Sequence, residues 1–294
     1  MFERLFKQDL RGVIAFGLVL AVSACGENST QSDPVAASSS GTGTLRVEVT
    51  DAPACGMRSV QIGIAGIRLH ADATASLQDP LWREVRLDPP VTVELLDLQN
   101  GNVAPLADLQ LPAGDYRQVS LVLAASDKGA AAHHVELLSD PAGSRRSLTV
   151  PASVANGITV ETSVKVLSDQ TRSLVLDIDA CQSVVPAAAN QTYFLDPQVA
   201  PIAIDEKGRR EIGGELDPKH AGATVMAQVM DADGMPRVLK STVVAPDGLY
   251  MLSPLPETPG QKVNVVIVAP GKPVHVITDA VSYTHLTLPT TPYV

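Results

Sequence analysis

Aromatic residues make up only 3% of this 294-residue chain, with a single tryptophan, and cysteine occurs three times. So few aromatics leave little material for the stacking platforms that hold sugars or single-stranded bases. Positive charge is short as well: 22 Lys and Arg stand against 32 Asp and Glu, a formal net charge of −10. With no basic cluster to offset it, such a surface repels phosphate backbones and anionic headgroups, which excludes nucleic acid as a partner. No apolar run reaches the roughly 20 residues needed to span a bilayer as a helix. Long amphipathic helical stripes, a G-x-S-x-G elbow and phosphate-cradling glycine loops are also missing. Catalytic residues are therefore not assigned, and no cofactor is expected.

What is present begins with an export signal. Arg4, Lys7 and Arg11 form a positive n-region, and Gly12 to Val22 is an uncharged apolar stretch of signal-peptide length. The run ends in Val22-Ser23-Ala24-Cys25, which resembles the lipobox of bacterial lipoproteins. Residues 1–24 then read as a lipoprotein signal peptide, and Cys25 as the acylated N-terminus that anchors the chain to a membrane. Each buried methylene of an acyl chain adds about 0.8 kcal/mol of membrane affinity, so several chains on one residue suffice. Gly26 rather than Asp after the cysteine, by resemblance to lipoprotein sorting, directs the protein to the outer membrane of a Gram-negative bacterium, facing the periplasm or the cell surface. Residues 25–43 are small, polar and rich in Ser and Gly, the composition of a flexible tether.

Beyond the tether the period is that of β-strands. Leu45, Val47 and Val49 alternate with polar residues, and Thr50-Asp51-Ala52-Pro53 stops the strand with turn chemistry. Val60, Ile62 and Ile64 alternate again, but Ile67 and Leu69 fall on the opposite parity, which predicts a β-bulge at Ala65-Gly66. Further strands are predicted over Val91–Leu98, Arg117–Leu123, Val135–Leu138, Ile158–Leu167 and Leu174–Ile178, with a short helical turn at Pro105–Leu109. The spacing suits a β-sandwich over residues 44–204. After the charged linker Asp205–Arg210 the alternation resumes at Ile212–Gly214, Thr224–Met230 and Val263–Val268. Asp231–Gly234 and Asp247–Tyr250 read as hairpin turns, giving a second sandwich over 211–280. The expected class is all-β: two immunoglobulin-like or transthyretin-like sandwiches. Residues 281–294, starting Val281-Ser282-Tyr283-Thr284-His285, look like translated sequencing adapter, so the second sandwich reads as truncated.

Six segments in order, Thr50–Gly56, Trp82, Leu95–Leu98, Leu111–Gln118, Leu176–Val185 and Tyr193–Pro197, resemble a bacterial lipoprotein family known only as a domain of unknown function, DUF4382. The resemblance covers roughly Gly43 to Ile204 and implies no activity. Gly248-Leu249-Tyr250 and Leu255-Pro256 are similar to the turns of carboxypeptidase regulatory-like modules, which serve as spacers or binding surfaces.

With Cys25 acylated, Cys55 and Cys181 form an even pair in an oxidising compartment and read as a disulfide, the alternatives being a metal thiolate pair or a redox couple. Asp177 and Asp179 share a strand face and, with Asp51, form a speculative metal site; the plainer reading is a solvated outer face. His133-His134 point to opposite strand faces and read as an exposed loop. The functional expectation is a non-enzymatic binding or adhesion module of the cell envelope with an unidentified ligand. The alternatives are a carbohydrate- or calcium-binding module, or a metal-dependent hydrolase using Asp51, Asp177 and Asp179.

Overall fold

Alternation at Leu45, Val47 and Val49 puts three aliphatic side chains on one face of β1 (Thr42–Asp51), and all three are fully buried. The computed structural model describes residues 41–280 apart from 52–55, 126–132, 188–191, 205–207 and 257–261. The leader, Cys25, most of the tether, Cys55, the first residues of the charged linker and the adapter-like tail lie outside the described residues.

After β1 come β2 (Met57–His70), β3 (Arg83–Glu94), β4 (Ala104–Pro112), β5 (Gly114–Leu123), β6 (His134–Leu137), β7 (Arg146–Thr149), β8 (Ile158–Val166) and β9 (Thr171–Ile178). A single helical turn, α1 (Ala180–Ser183), leads to β10 (Val184–Pro186), β11 (Tyr193–Leu195) and β12 (Val199–Ile204). Strands β12-β9-β1-β4 form one sheet, in which β1 and β9 run parallel; β10-β11-β7-β6-β2-β5-β8 form another, with β3 also pairing β2. Leu45, Val47, Leu174 and Leu176 from the first sheet share one core with Ile62, Ile64, Val119 and Leu121 from the second. Burying each such side chain contributes about 1.5–3 kcal/mol, which makes this sandwich the main source of stability. The protein is all-β, as the alternation indicates.

The bulge predicted at Ala65-Gly66 is present: the pairing of β2 with both β3 and β5 shifts register between Ile64 and Gly66. That one extra residue lets Val60, Ile62, Ile64, Ile67 and Leu69 all reach the core despite their change of parity. A second bulge explains an error of the sequence reading. Pro105–Leu109 is part of β4, not a helical turn, because β1 skips a partner at Leu106 between Val47 and Glu48. The skip leaves buried Leu106 and Leu109 three residues apart, a spacing that imitates a helix. The strand expected at Val91–Leu98 instead starts at Arg83 and ends at Glu94. Leu95–Leu98 form a 3-10 turn, with the Glu94 side chain capping it by accepting from Leu96 N, and buried Leu95 and Leu98 sit one turn apart.

The second sandwich comprises β13 (Arg210–Glu215), β14 (Thr224–Met230), β15 (Pro236–Val243), β16 (Leu249–Leu255), β17 (Val263–Val268) and β18 (His275–Ala280). A two-stranded layer, β13-β16, faces a four-stranded one, β15-β14-β17-β18, around a separate core of Val225, Ala227, Val265, Ile212 and Leu252. Asp231 makes the expected hairpin turn: its Oδ1 accepts from Asp233 N at 3.0 Å and Met235 N at 2.8 Å. The Asp247-Gly248 turn exists but is no hairpin, since β15 and β16 belong to different layers and the turn carries the chain between them. Gly248 is required there: its φ is +90°, and a Cβ would meet the Leu216 carbonyl oxygen at 2.1 Å.

Candidate functional site

The three aspartates singled out by the sequence lie close enough to influence one another's charge, but each carboxyl takes its own hydrogen-bond donor. Asp51 is the last residue of β1 on the core-facing parity, and its Oδ1 accepts from Ala180 N at 3.0 Å. Asp177 faces the other way on β9 and meets Lys240 of the second sandwich, whose Nζ lies 2.7 Å from Asp177 Oδ1. Asp179 caps α1, its two oxygens accepting from Gln182 N and from Gln182 Nε2. Three carboxyls with three separate protein donors do not make a cation cage, and no group of three metal-ligating side chains is found among the described residues.

The reading of Asp177 as part of a solvated outer face fails for a specific reason. The outward residues Glu48, Thr50, Val175 and Asp177 of β1 and β9 are buried along with the inward ones, because the second sandwich seats against this end of the sheet. Lys240 is 3% exposed, and Nζ also donates to the Asp51 backbone oxygen at 3.0 Å. Arg209, from the linker, pairs with buried Glu48. Asn100, at the turn between the Leu95–Leu98 segment and β4, accepts on Oδ1 from Thr242 Oγ1 of β15 at 2.7 Å and from Met251 N of β16 at 3.3 Å. One side chain of the first sandwich thus bridges both layers of the second. Its neighbour Gly101 has φ +80°, a conformation that strains any side chain, and a Cβ there would press on Met251 Cγ at 3.0 Å.

Charge balance in this cluster follows from burial. Desolvation is the largest influence on Asp51 and pushes its carboxyl up to about 8; the Ala180 amide opposes it, and the neighbouring Asp177 charge adds to it. Burial also pushes Asp177 up, with the Lys240 ammonium pulling it back down. The consistent neutral-pH arrangement is a protonated Asp51 beside an Asp177–Lys240 ion pair, which leaves no net charge away from water. Lys240 was not singled out by the sequence; a lysine in an alternating strand usually marks the solvent side. No local sequence signal marks it: the register shift between Ala227 and Gln228, which leaves both Leu239 and Lys240 of β15 buried, exists only in the strand pairing.

The histidine pair also differs from expectation: His133 and His134 are 3% and 2% exposed, so they are not an exposed loop. Along β2, β6 pairs residues 57–61 and β5 pairs 64–70, which leaves Gly63 between them. His133 fills that gap, with Nδ1 accepting from Gly63 N at 3.3 Å and Nε2 2.8 Å from the Ala124 carbonyl oxygen. His133→Leu would leave both backbone groups buried and unpaired, an expected cost of about 1–3 kcal/mol in urea unfolding. Burial holds the His133 imidazole below its usual value. The unfolded state therefore takes up the proton first, and this contribution is lost as pH falls below about 6.5. An unchanged urea midpoint for the variant would contradict the role.

Trp82 is half-buried and held in a packing contact. Its ring packs at 5.1 Å, tilted 55°, against buried His70, and its Nε1 donates to the Ser76 oxygen at 2.8 Å. Among the other aromatics, Tyr116 is 6% exposed, its hydroxyl donating to the Pro112 oxygen. Cys181 lies in α1, next to the Ala180 amide that binds Asp51, while Cys55 is outside the described residues.

No curated protein matches the chain. Among solved structures it has a likeness to the streptococcal ancillary pilin, at 10% identity and a TM-score of 0.19, over 83% of this chain and 61% of the pilin chain. That likeness is too slight to speak for a shared fold. Residues 42–197, more than half of the sequence, match the model of the family described as Domain of unknown function (DUF4382), with boundaries close to those of the first sandwich, and the chain belongs to that family.

Proposed function

We propose that this protein is a lipid-anchored, non-enzymatic binding module of the cell envelope, with two sandwiches braced into one stiff arm on a tether from acylated Cys25. The observation that carries the reading is the seat of Lys240. The buried acidic pair at the end of β1 and β9, where a hydrolase or calcium site was conceivable, receives an ammonium from the second sandwich at 2.7 Å from Asp177. Groups that serve a substrate or a metal are left reachable; these instead couple two parts of the protein. A brace of this kind suits a body that must present a surface at a distance from a lipid boundary.

The leader, the lipobox ending in Cys25 and the polar tether support the anchoring, with the outer membrane of a Gram-negative cell as the address. A Cys55–Cys181 disulfide, read from the even cysteine pair left after acylation of Cys25, would reinforce the end of the chain that Cys181 occupies beside Ala180. Radiolabelled palmitate fed to expressing cells is expected to enter the wild-type protein and fractionate with outer membranes. Cys25→Ser should abolish the label and leave the protein unprocessed. Label persisting in the variant, or absent from the wild type, would remove the anchor from the account.

A further inference from the structure

The second sandwich has two open edges, because a two-stranded layer faces a four-stranded one. Along β15 and β16 the gap between layers is plugged by Asn100 and by the Asp177–Lys240 pair. At the opposite edge, between the end of β13 and the β17–β18 connection, no described residue plugs it. There lies a cavity of about 350 Å³ between residues 216–220 and 267–275. Its volume falls within the range of small-molecule sites.

The lining has two halves. Ile267 and His275 are register partners on the inward face of β17 and β18, and Ile267, Leu216 and Ala269 belong to the margin of the second core. This half is a continuation of core surface that the two-stranded layer does not reach. Lys219, His220, Lys272 and His275 supply the other half, and no carboxylate among the described residues lines the cavity. In a chain of net charge −10, two lysines beside two histidines, which can donate hydrogen bonds, set this concavity apart from the acidic surface. Lys219 shares its charge with Asp217 at 2.7 Å, whereas Lys272 has no ion-pair partner among the described residues. Val274, 58% exposed at the mouth, adds an apolar surface that burial would favour.

We infer that this cavity is a binding site for a small organic anion, an apolar body seated against Leu216, Ile267 and Val274 with its carboxylate turned toward Lys272 and the two histidines. The inference deepens the binding-module reading and rests on it for its meaning, but the site stands in the sandwich whether or not Cys25 is acylated.

The test is calorimetric titration of the full chain carrying Cys25→Ser with 2-naphthoate, and with neutral 2-naphthamide as the shape-matched control. Naphthoate is expected to bind one to one and the amide at least about tenfold more weakly. Lys272→Glu should weaken naphthoate by about tenfold or more without moving the thermal midpoint, since Lys272 is exposed and has no ion-pair partner among the described residues. Amide resonances that shift on titration should fall within residues 216–220 and 267–275. No naphthoate binding, equal affinity for the amide, shifts located elsewhere, or indifference to Lys272→Glu would each overturn the site. Loss of palmitate labelling would instead overturn the anchor and leave this result untouched.

Discussion

Lys240→Met is expected to destabilise the protein by about 3–5 kcal/mol, the cost of removing one partner from a buried ion pair. The substitution leaves Asp177, 8% exposed, without its ammonium and deprives the Asp51 carbonyl of a donor. Without the ammonium, Asp177 must either take up a proton or reach water by separation of the two sandwiches, so the loss should fall chiefly on their association. Urea unfolding should change from one transition to two, with the second sandwich released first. The pair with Asp177→Leu separates a stranded charge from lost packing: once both charges are gone, much of the stability should return, because buried pairs replaced by apolar groups are often neutral or better. A single mutant as stable as the wild type, or a double mutant no better than the single, would show that Lys240 does not brace the sandwiches.

The second large effect is a loss of stability with rising pH, and it originates in Asp51. In the unfolded chain this carboxyl has its ordinary value of 3.8, whereas burial raises it to about 8 in the folded protein. Between those limits the folded state holds a proton that the unfolded state has released. Stability therefore falls as pH rises through the window and levels off above it, with a limiting slope of about 1.4 kcal/mol per pH unit. Asp177, also raised by burial, acts in the same direction, and His133 acts in the opposite one. Asp51→Asn isolates the contribution, since the amide oxygen can still accept from Ala180 N while no proton is exchanged. The variant should lose most of the slope and exceed the wild type by a few kcal/mol near pH 9. Parallel profiles for the two proteins, or a carboxyl resonance of Asp51 titrating near 4, would contradict the assignment.

Much of the fold was legible because alternation is local. The parities of Leu45–Val49 and Leu174–Ile178 report the core directly, and the change of parity after Ile64 betrays the bulge that the pairing of β2 contains. Where the reading failed, a local irregularity imitated another period. The skip at Leu106 produced helical spacing inside a strand, and Leu95 and Leu98 produced strand-like density inside a 3-10 turn. Strands β7, β10 and β12 carry little signal because they are short and have few inward residues. His133 was misjudged because its partners, Gly63 and Ala124, are backbone groups whose exposure depends on where two other strands stop.

By itself the sequence determined the strand class, the inward residues of most strands, the acidic character and the family. Each of these depends on a pattern within a few residues or on an ordered set of motifs. Only the tertiary structure decided that the outward face of β1 and β9 is also an inward face. Lys240 stands 63 residues from Asp177 along the chain, and alternation reads the same whether a side chain meets water or a second sandwich. The physical reason is that a polar residue opposite the core is charged and solvated by default, and only a partner brought from a distant strand can make its burial tolerable.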